Sequence, residues 1–421
     1  MADVFVTIGS RANEANPISS VTGTGPYTVN LVGAPSANTL LGDSLIDGNL
    51  NQYLITAVGA SSFTVTDSFG AGTAPVTTGS PVTDRTFVDL PAFNTGIDSV
   101  NTFSAGDIAW GYFCDDADFT AGATVNGGAT NSLGGVRMLA FPGQEWQSIA
   151  NSGVRFLMGA AYVRVVEFGR DYSQGIWLSN MELNGNLLGA QNGLLAGQNT
   201  QVNTADRTKQ QFHRLLLHGM GGNRFFVGCK FTGRPGTAHN LVVYRIGNGY
   251  TQSGSGTVVG IGNDDKVDVK HCTVDNVQMN GGATTTIYGV VWTGTSANIE
   301  NNISTNTFSS DGPYFDFHNA TVASRFGNIS SDNTGDVGFQ LISSASLFVS
   351  TALGAENYQQ RLGAPSFNAG ASAGVLVDAN GVARPKFGAF DLGAFESLSD
   401  LSTEEAEDSK RNKTFFLFTG R

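Results

Sequence analysis

The feature that most narrows the folds open to this chain is a segment that keeps returning, a short apolar run, often alternating, closed by Asn, Gly or Cys. VDVKHCTVDNV, residues 267–277, is typical. Alternation puts every second side chain on one face, so the segment reads as a strand with one buried side, and its Asp-Asn reads as a turn. Similar segments are GIWLSNMELNGN from Gly175, FFVGCKFTG from Phe225, ANIENNIST from Ala297 and SRFGNISSDN from Ser324. Their small or polar pivots are Asn180, Cys229, Cys272, Asn302 and Asn328, giving steps of 49, 43, 30 and 26 residues. Two steps approximate one turn of a solenoid, and two approximate double that with inserted loops. A chain wound this way stacks equivalent strands about 4.8 Å apart, builds an apolar ladder inside, and needs corner residues that tolerate left-handed backbone. VDVKHCTVDNV then forms one rung, with Cys229 and Cys272 inward at matching positions and Asp275-Asn276 turning the corner. A β-sandwich of strands alike by chance is the competing architecture.

Composition points the same way. Glycine numbers 55 while only 14% of residues are charged, so helix-forming Lys, Glu and Arg are scarce and turn residues abundant. The expectation is all-β. A net charge of -12 disfavours nucleic acid and anionic membrane as partners, because acidic side chains displace no counterions from them. Cys114, Cys229 and Cys272 cannot all pair and show no zinc-site spacing, so they read as reduced core residues; no metal or cofactor is expected. MADVFVTIGSRANEANPISS has neither a basic start nor an apolar run, so a secretory signal is not expected, nor is any bilayer-spanning segment.

Four regions are expected: an arm over 1–20, a small antiparallel β module over 21–82, a parallel β-helix over 83–400, and a tail over 401–421. In the module, Tyr53 to Val58 and Ser62 to Thr66 alternate around Gly59-Ala60. GAGTAPVTTGSP, residues 70–81, reads as a linker. The tail joins a mixed-charge spacer, TEEAEDSKRNK, to Phe415, Phe416, Leu417 and Phe418, which suit docking onto a neighbouring subunit or folding back on the last coil.

Two stretches carry a resemblance. GVARPKFGAFDLGAFE, residues 381–396, resembles the closing Arg-Pro to Asp-Ile-Gly-Ala-aromatic-Glu motif of right-handed parallel β-helix proteins from bacterial and phage surfaces, with Leu392 in place of Ile. In those relatives the motif caps the last coil. Residues 106–146, containing TVNGGAT and AFPGQEW, are similar to the first coils of tailed-phage and prophage β-helix proteins. Where many of those carry Trp-Glu-Ala before the first coil, this chain has DLPAFNTGID at 89–98. The resemblance implies a right-handed parallel β-helix and a virion component assembled in the host cytoplasm. It also implies a homotrimer contacting other virion proteins, such as capsid or tail subunits, in a capsid-decorating, head-spike or fibre role. The alternatives are a tailspike or tail fibre that binds or cleaves host surface polysaccharide, and a bacterial adhesin, which would need an export signal.

Glycoside hydrolysis would need two carboxylates roughly 5–10 Å apart. The candidates are Asp264, Asp265, Asp311 and Asp316, with Asp268, Asp115, Asp116 and Asp118 as further members of acidic clusters. Turn and cap roles explain all of them equally well. A sugar-binding groove also favours clustered aromatics, and the four tryptophans are far apart in sequence. His213 and His218 sit five residues apart, on opposite faces of a strand, and His239, His271 and His318 stand alone. Neither a nucleophile elbow nor a phosphate loop is present, GMGGN at 219–223 lacking the Lys and helix that a phosphate loop requires. A non-enzymatic role is therefore expected.

Overall fold

A computed structural model describes residues 2–9, 12–14, 16–49, 51–69, 71–77, 81–114, 118–121, 123–142, 144–146, 150, 153–158, 165–170, 172–186, 195–198, 210–221, 226–232, 236–247, 257–263, 267–279, 286–292, 297–318, 324–361 and 363–397. Three stacks of parallel strands wind around one core. The first sheet orders Asp3–Ile8, Ile108–Phe113, Gly135–Ala140, Gly175–Ser179, Gln210–His213, Gly236–His239, Val267–Lys270, Asn298–Glu300 and Ser324–Phe326, nine strands in all. The second runs from Phe119–Ala121 to Ile329–Ser330 and the third from Ala123–Val125 to Tyr314–His318. This is the expected parallel β-helix: each coil lends its neighbour the backbone partners and dry surface that a single coil lacks. In the first sheet the inward column is Val6, Gly111, Met138, Leu178, Phe212, Ala238, Val269 and Ile299, all buried. The third contributes Val166, Leu195, Cys229, Ile261, Val290 and Phe317.

The corners explain the recurring Asn. Asn180, Arg214, Asn240, His271 and Asn301 hold φ of 66°, 54°, 56°, 51° and 57°, and Gly327 completes the column at 66°. A second corner stacks Gly219, Arg245, Asn276 and Asn306, all with positive φ, so Asp275-Asn276 turns the chain as expected. The expected pivots occupy three different positions. Asn180 is itself a corner residue. Cys272, Asn302 and Asn328 follow the corner and face inward as a polar ladder, Asn302 Oδ1 accepting from Cys272 N–H at 2.8 Å and Asn328 Oδ1 from Asn302 N–H at 3.1 Å. Cys229 lies in the third sheet, so the expected match of Cys229 with Cys272 is corrected, although both are fully buried. An alternating strand looks alike wherever it sits in the coil, which is why the sequence pattern merges the two.

The N-terminal boundaries also shift. Residues 3–8, expected as part of an arm, form the first strand of the first sheet and pair in parallel with Ile108–Phe113. The antiparallel module is inserted between these two strands. Its sheet orders Ala12–Glu14, Val82–Asp84, Ser44–Ile46, Gln52–Val58, Ser62–Thr66, Tyr27–Leu31 and Ile18–Thr22 around Tyr53, Phe63, Val29 and Val65. The described part of 70–81 is tied to the module: Ala71 and Gly72 N–H donate to Asp67, and Val76 N–H to Asp47. Those side-chain acceptors in place of free solvent overturn the linker reading. Arg85 and Asp43, 2.9 Å apart and nearly inaccessible, close the junction together with Thr7, whose hydroxyl donates to Asp43. DLPAFNTGID forms a short helix, Leu90–Gly96, capped by Asp89, which inserts Leu90 and Phe93 into the first coil.

The closing motif does not sit on the end of the helix. Residues 342–361 and 363–397 run back along the outer face of the second sheet, burying Leu216, Val242, Ile303 and Ile329 under Leu347, Phe348, Leu392 and Phe395. The last coil is finished instead by SSDNTGD, residues 330–336. Asp332 and Thr334 accept from the N–H groups of Asp316 and Phe317, and Asp336 accepts from Asn328 N–H and pairs with Arg325, whose guanidinium lies over Phe317. The tail, with Phe415, Phe416, Leu417 and Phe418, lies outside the described residues.

Candidate functional site

The C-terminal segment and the left-handed corner form one polar interlock. Along the corner column Arg214 Nε, Asn240 Nδ2 and Asn301 Nδ2, and just before it Lys270 Nζ, donate to the carbonyls of Ala379, Val377, Ala371 and Ala373, respectively, at 2.6–3.1 Å. At its centre Arg384, fully buried, donates to Glu396 at 2.8 Å, to the Gly393 carbonyl at 2.9 Å and to Asn240 Oδ1 at 3.3 Å. Glu396 also accepts from Asp391 N–H, and Asp391 accepts from Ser397 and Asn368 N–H. The His271 ring lies 3.0 Å from the Asn301 amide at Nε2 and, at Nδ1, 2.9 Å from Arg384 Nη1 and 3.2 Å from the Asp391 carbonyl. Burial, and then the charge of Arg384, push its pKa down to about 2, so the ring stays neutral. The Arg, Asp and Glu of the closing motif therefore hold the segment to the coils.

The carboxylates that the sequence singles out do not assemble into a described pair. Asp264, Asp265, Asp115 and Asp116 lie outside the described residues. Asp311 is exposed and accepts from the Ser310 hydroxyl. Asp316 is buried and its oxygens accept from Ser331 N–H and hydroxyl at 2.6 and 2.8 Å, from Asp332 N–H and from Thr307 N–H. Burial and the neighbouring Asp332 push it up to about 6. Asp268 accepts from Asn298 and lies 3.8 Å from Lys270, while Asp118 pairs with Arg155 at 2.6 Å. These contacts are those of turn and clamp residues.

Stacking brings together residues that the sequence separates. Trp110 and Trp177 hold the Arg137 guanidinium between them, 4.7 and 4.8 Å from the ring centres, and Trp177 continues onto His213 and His239. His239 therefore does not stand alone; its ring is 4.6 Å from that of His213. Burial pushes both imidazoles down, His239 to about 4. The ring faces are spent on one another, so this column is a packed ladder along the outer face of the first sheet. Only the inter-coil register, hidden by unequal loops, could have placed these partners together.

One cleft of about 430 Å³ opens beside the second sheet, between the ladder residues Asn184, His218 and Tyr244, the corner residue Arg245, and Glu356 on the returning segment. Buried Glu182 accepts from His218 Nε2 at 2.8 Å, and the His218 ring stacks flat on Tyr244 at 4.8 Å. Arg245 reaches Glu356 only at 3.5 Å, and its buried Nε–H has no partner among the described residues. The sequence marks His218 only as one of a pair that cannot chelate; in the fold its stack and its carboxylate partner anchor one wall of this cleft. Among the described residues, no helix is long and apolar enough to cross a membrane. Comparison with protein-family models, with curated proteins and with solved structures finds no match.

Proposed function

We propose that this chain is a structural, non-enzymatic protein of a tailed-phage particle, a trimeric decorating spike or fibre carried on the capsid. The reading joins the sequence resemblance at 106–146 and 381–396 to one structural observation: the solenoid is bolted along its flank by its own C-terminal segment through Arg384 and the corner ladder. Such a body suits a mechanical task, because bending or opening a coil would break packed strands and the flank clamp together. The described carboxylates support the same reading, since Asp316 is engaged by backbone and hydroxyl donors and Asp311 is an exposed turn residue. Quantitative mass spectrometry of purified particles, with antibody labelling under the electron microscope, tests the proposal. Many copies spread over the head support it; a few copies at the tail tip would move the protein to the host-recognition apparatus, and absence from particles would end the proposal. Capsule incubated with the purified chain should keep its length.

A further inference from the structure

We propose that the open edge of the first sheet is a docking site for the chain's own aromatic tail, which adds there as one more strand. The strand Asp3–Ile8 ends that sheet, so one of its edges has no neighbouring strand. Ile108 N–H donates to the Ala2 carbonyl and Cys114 N–H to the Ile8 carbonyl, so the even-numbered groups face Ile108–Phe113 and the odd-numbered ones face away. At Thr7 the antiparallel module meets this outward row. The Thr7 N–H donates to the Gly42 carbonyl, and its carbonyl accepts from Phe87 N–H, both at 3.1 Å. The N–H and C=O of Asp3 and the N–H of Phe5 belong to the same row and have no partner among the described residues. Such a row is a template for a strand. Beside it a groove of about 360 Å³ opens between the first coil and the module, with Val4, Phe5, Leu41, Leu54 and Ile55 in its lining.

A strand laid along Asp3 to Phe5 turns alternate side chains to two apolar sides. One is the groove, at Val4 and Leu54. The other is the outer aromatic face, where Phe5 lies 5.5 Å from Trp110 and 5.9 Å from Tyr112. The occupant is therefore short and apolar on both faces, unlike a strand with one wet side. Phe415, Phe416, Leu417 and Phe418 are four consecutive residues of that kind. Lys413 and Arg421 flank them and are opposite in charge to the exposed Asp3 carboxylate. The tether is long enough. Ser397 N–H donates to Asp391, whose carbonyl lies beside His271, just past the seventh strand of the first sheet. Six rungs at about 4.8 Å put the open edge roughly 29 Å away along the axis, and residues 398–413 extend to about 50 Å. Tethering raises the local concentration of the chain's own tail above that of any other copy's. At the opposite end of the solenoid Asp332, Thr334 and Asp336 already occupy the final N–H groups, which directs the tail to the first coil.

Docking is a property of the isolated chain and does not depend on the particle reading, so the two can fail separately. Hydrogen–deuterium exchange, resolved to single amides by fragmentation in the mass spectrometer, tests it. The Phe5 amide should exchange at least about tenfold more slowly in the full chain than in a chain ending at Asn412. The Val4 and Val6 amides, which face Ile108–Phe113, should stay equally slow in both. Leu41→Asp alters the groove from an exposed position and should speed Phe5 exchange as the truncation does, with an unchanged melting temperature. Leu41→Cys combined with Leu417→Cys should form a disulfide that leaves a single-chain band on a non-reducing gel, the three native cysteines being buried. Equal Phe5 exchange with and without the tail, indifference to Leu41→Asp, or absence of the disulfide would each overturn the proposal. Disulfide-linked multimers would overturn it too, by giving the edge to the tail of a second copy.

Discussion

Asp316 shows how one side chain can look catalytic in sequence and prove structural in place. In the sequence it is one acid among several; in the fold, burial and the nearby Asp332 raise its pKa to about 6 while Ser331, Asp332 and Thr307 donate to it. The sign of its pH effect follows. Between pH 4 and 6 the folded protein holds a proton that the unfolded chain has released, so this group favours folding as pH falls, and above pH 6 it carries a constant penalty. Asp316→Asn removes the titration. The stability of the variant relative to the parent should therefore be highest at pH 7 and decline toward pH 4, by an amount on the order of 3 kcal/mol at most. Chemical denaturation at several pH values measures this, and a difference independent of pH would refute the shifted pKa. Histidine partnerships are equally hidden from sequence, because His213 meets His239 only when two coils lie in register.

At the level of the strand, alternation and Asn-closed turns make the β-helix legible, and Asn276 turns where its position implies. What stays hidden is which sheet each segment joins, since the third sheet and the post-corner ladder both place small inward residues after an apolar run. Glycines mark the third sheet in a way the pattern does not reveal. Gly228, Gly260 and Gly289 stack in one row, and a Cβ on Gly260 would lie 2.5 Å from a methyl of Val274 and 2.6 Å from the Gly289 carbonyl oxygen. Neither neighbour can retreat, because each belongs to the packed wall of a coil. Gly260→Ala should cost about 1–3 kcal/mol, read as a fall in melting temperature. An unchanged melting temperature would mean that the row has more room than its geometry indicates.

For the whole molecule, the sequence carries a module and a solenoid but not the joints between them: the first strand comes before the antiparallel module, and the closing motif lies on the flank. Both displacements share a cause, since the partner strand of Asp3–Ile8 and the corner residue Asn240 that Arg384 reaches are about a hundred residues away or more, beyond the reach of any local pattern. The flank clamp makes a global prediction. Arg384→Met leaves Glu396 buried without its ion partner, and breaking a pair of this kind costs about 3–5 kcal/mol. Proteolysis should then release a fragment from the C-terminal side while the coils persist, and a fluorescent dye for apolar surface should bind where Leu216, Val242 and Ile303 become uncovered. Equal protease resistance in parent and variant would show that apolar packing alone secures the flank.

The acceptors that Asp332, Thr334 and Asp336 place on the final N–H groups make the object finite. A second copy arriving tip to tip finds those groups taken, so filament growth from that end is discouraged. Length is consequently written into the count of coils. Nine strands at about 4.8 Å spacing set a gauge of roughly 4 nm, the same for every molecule made.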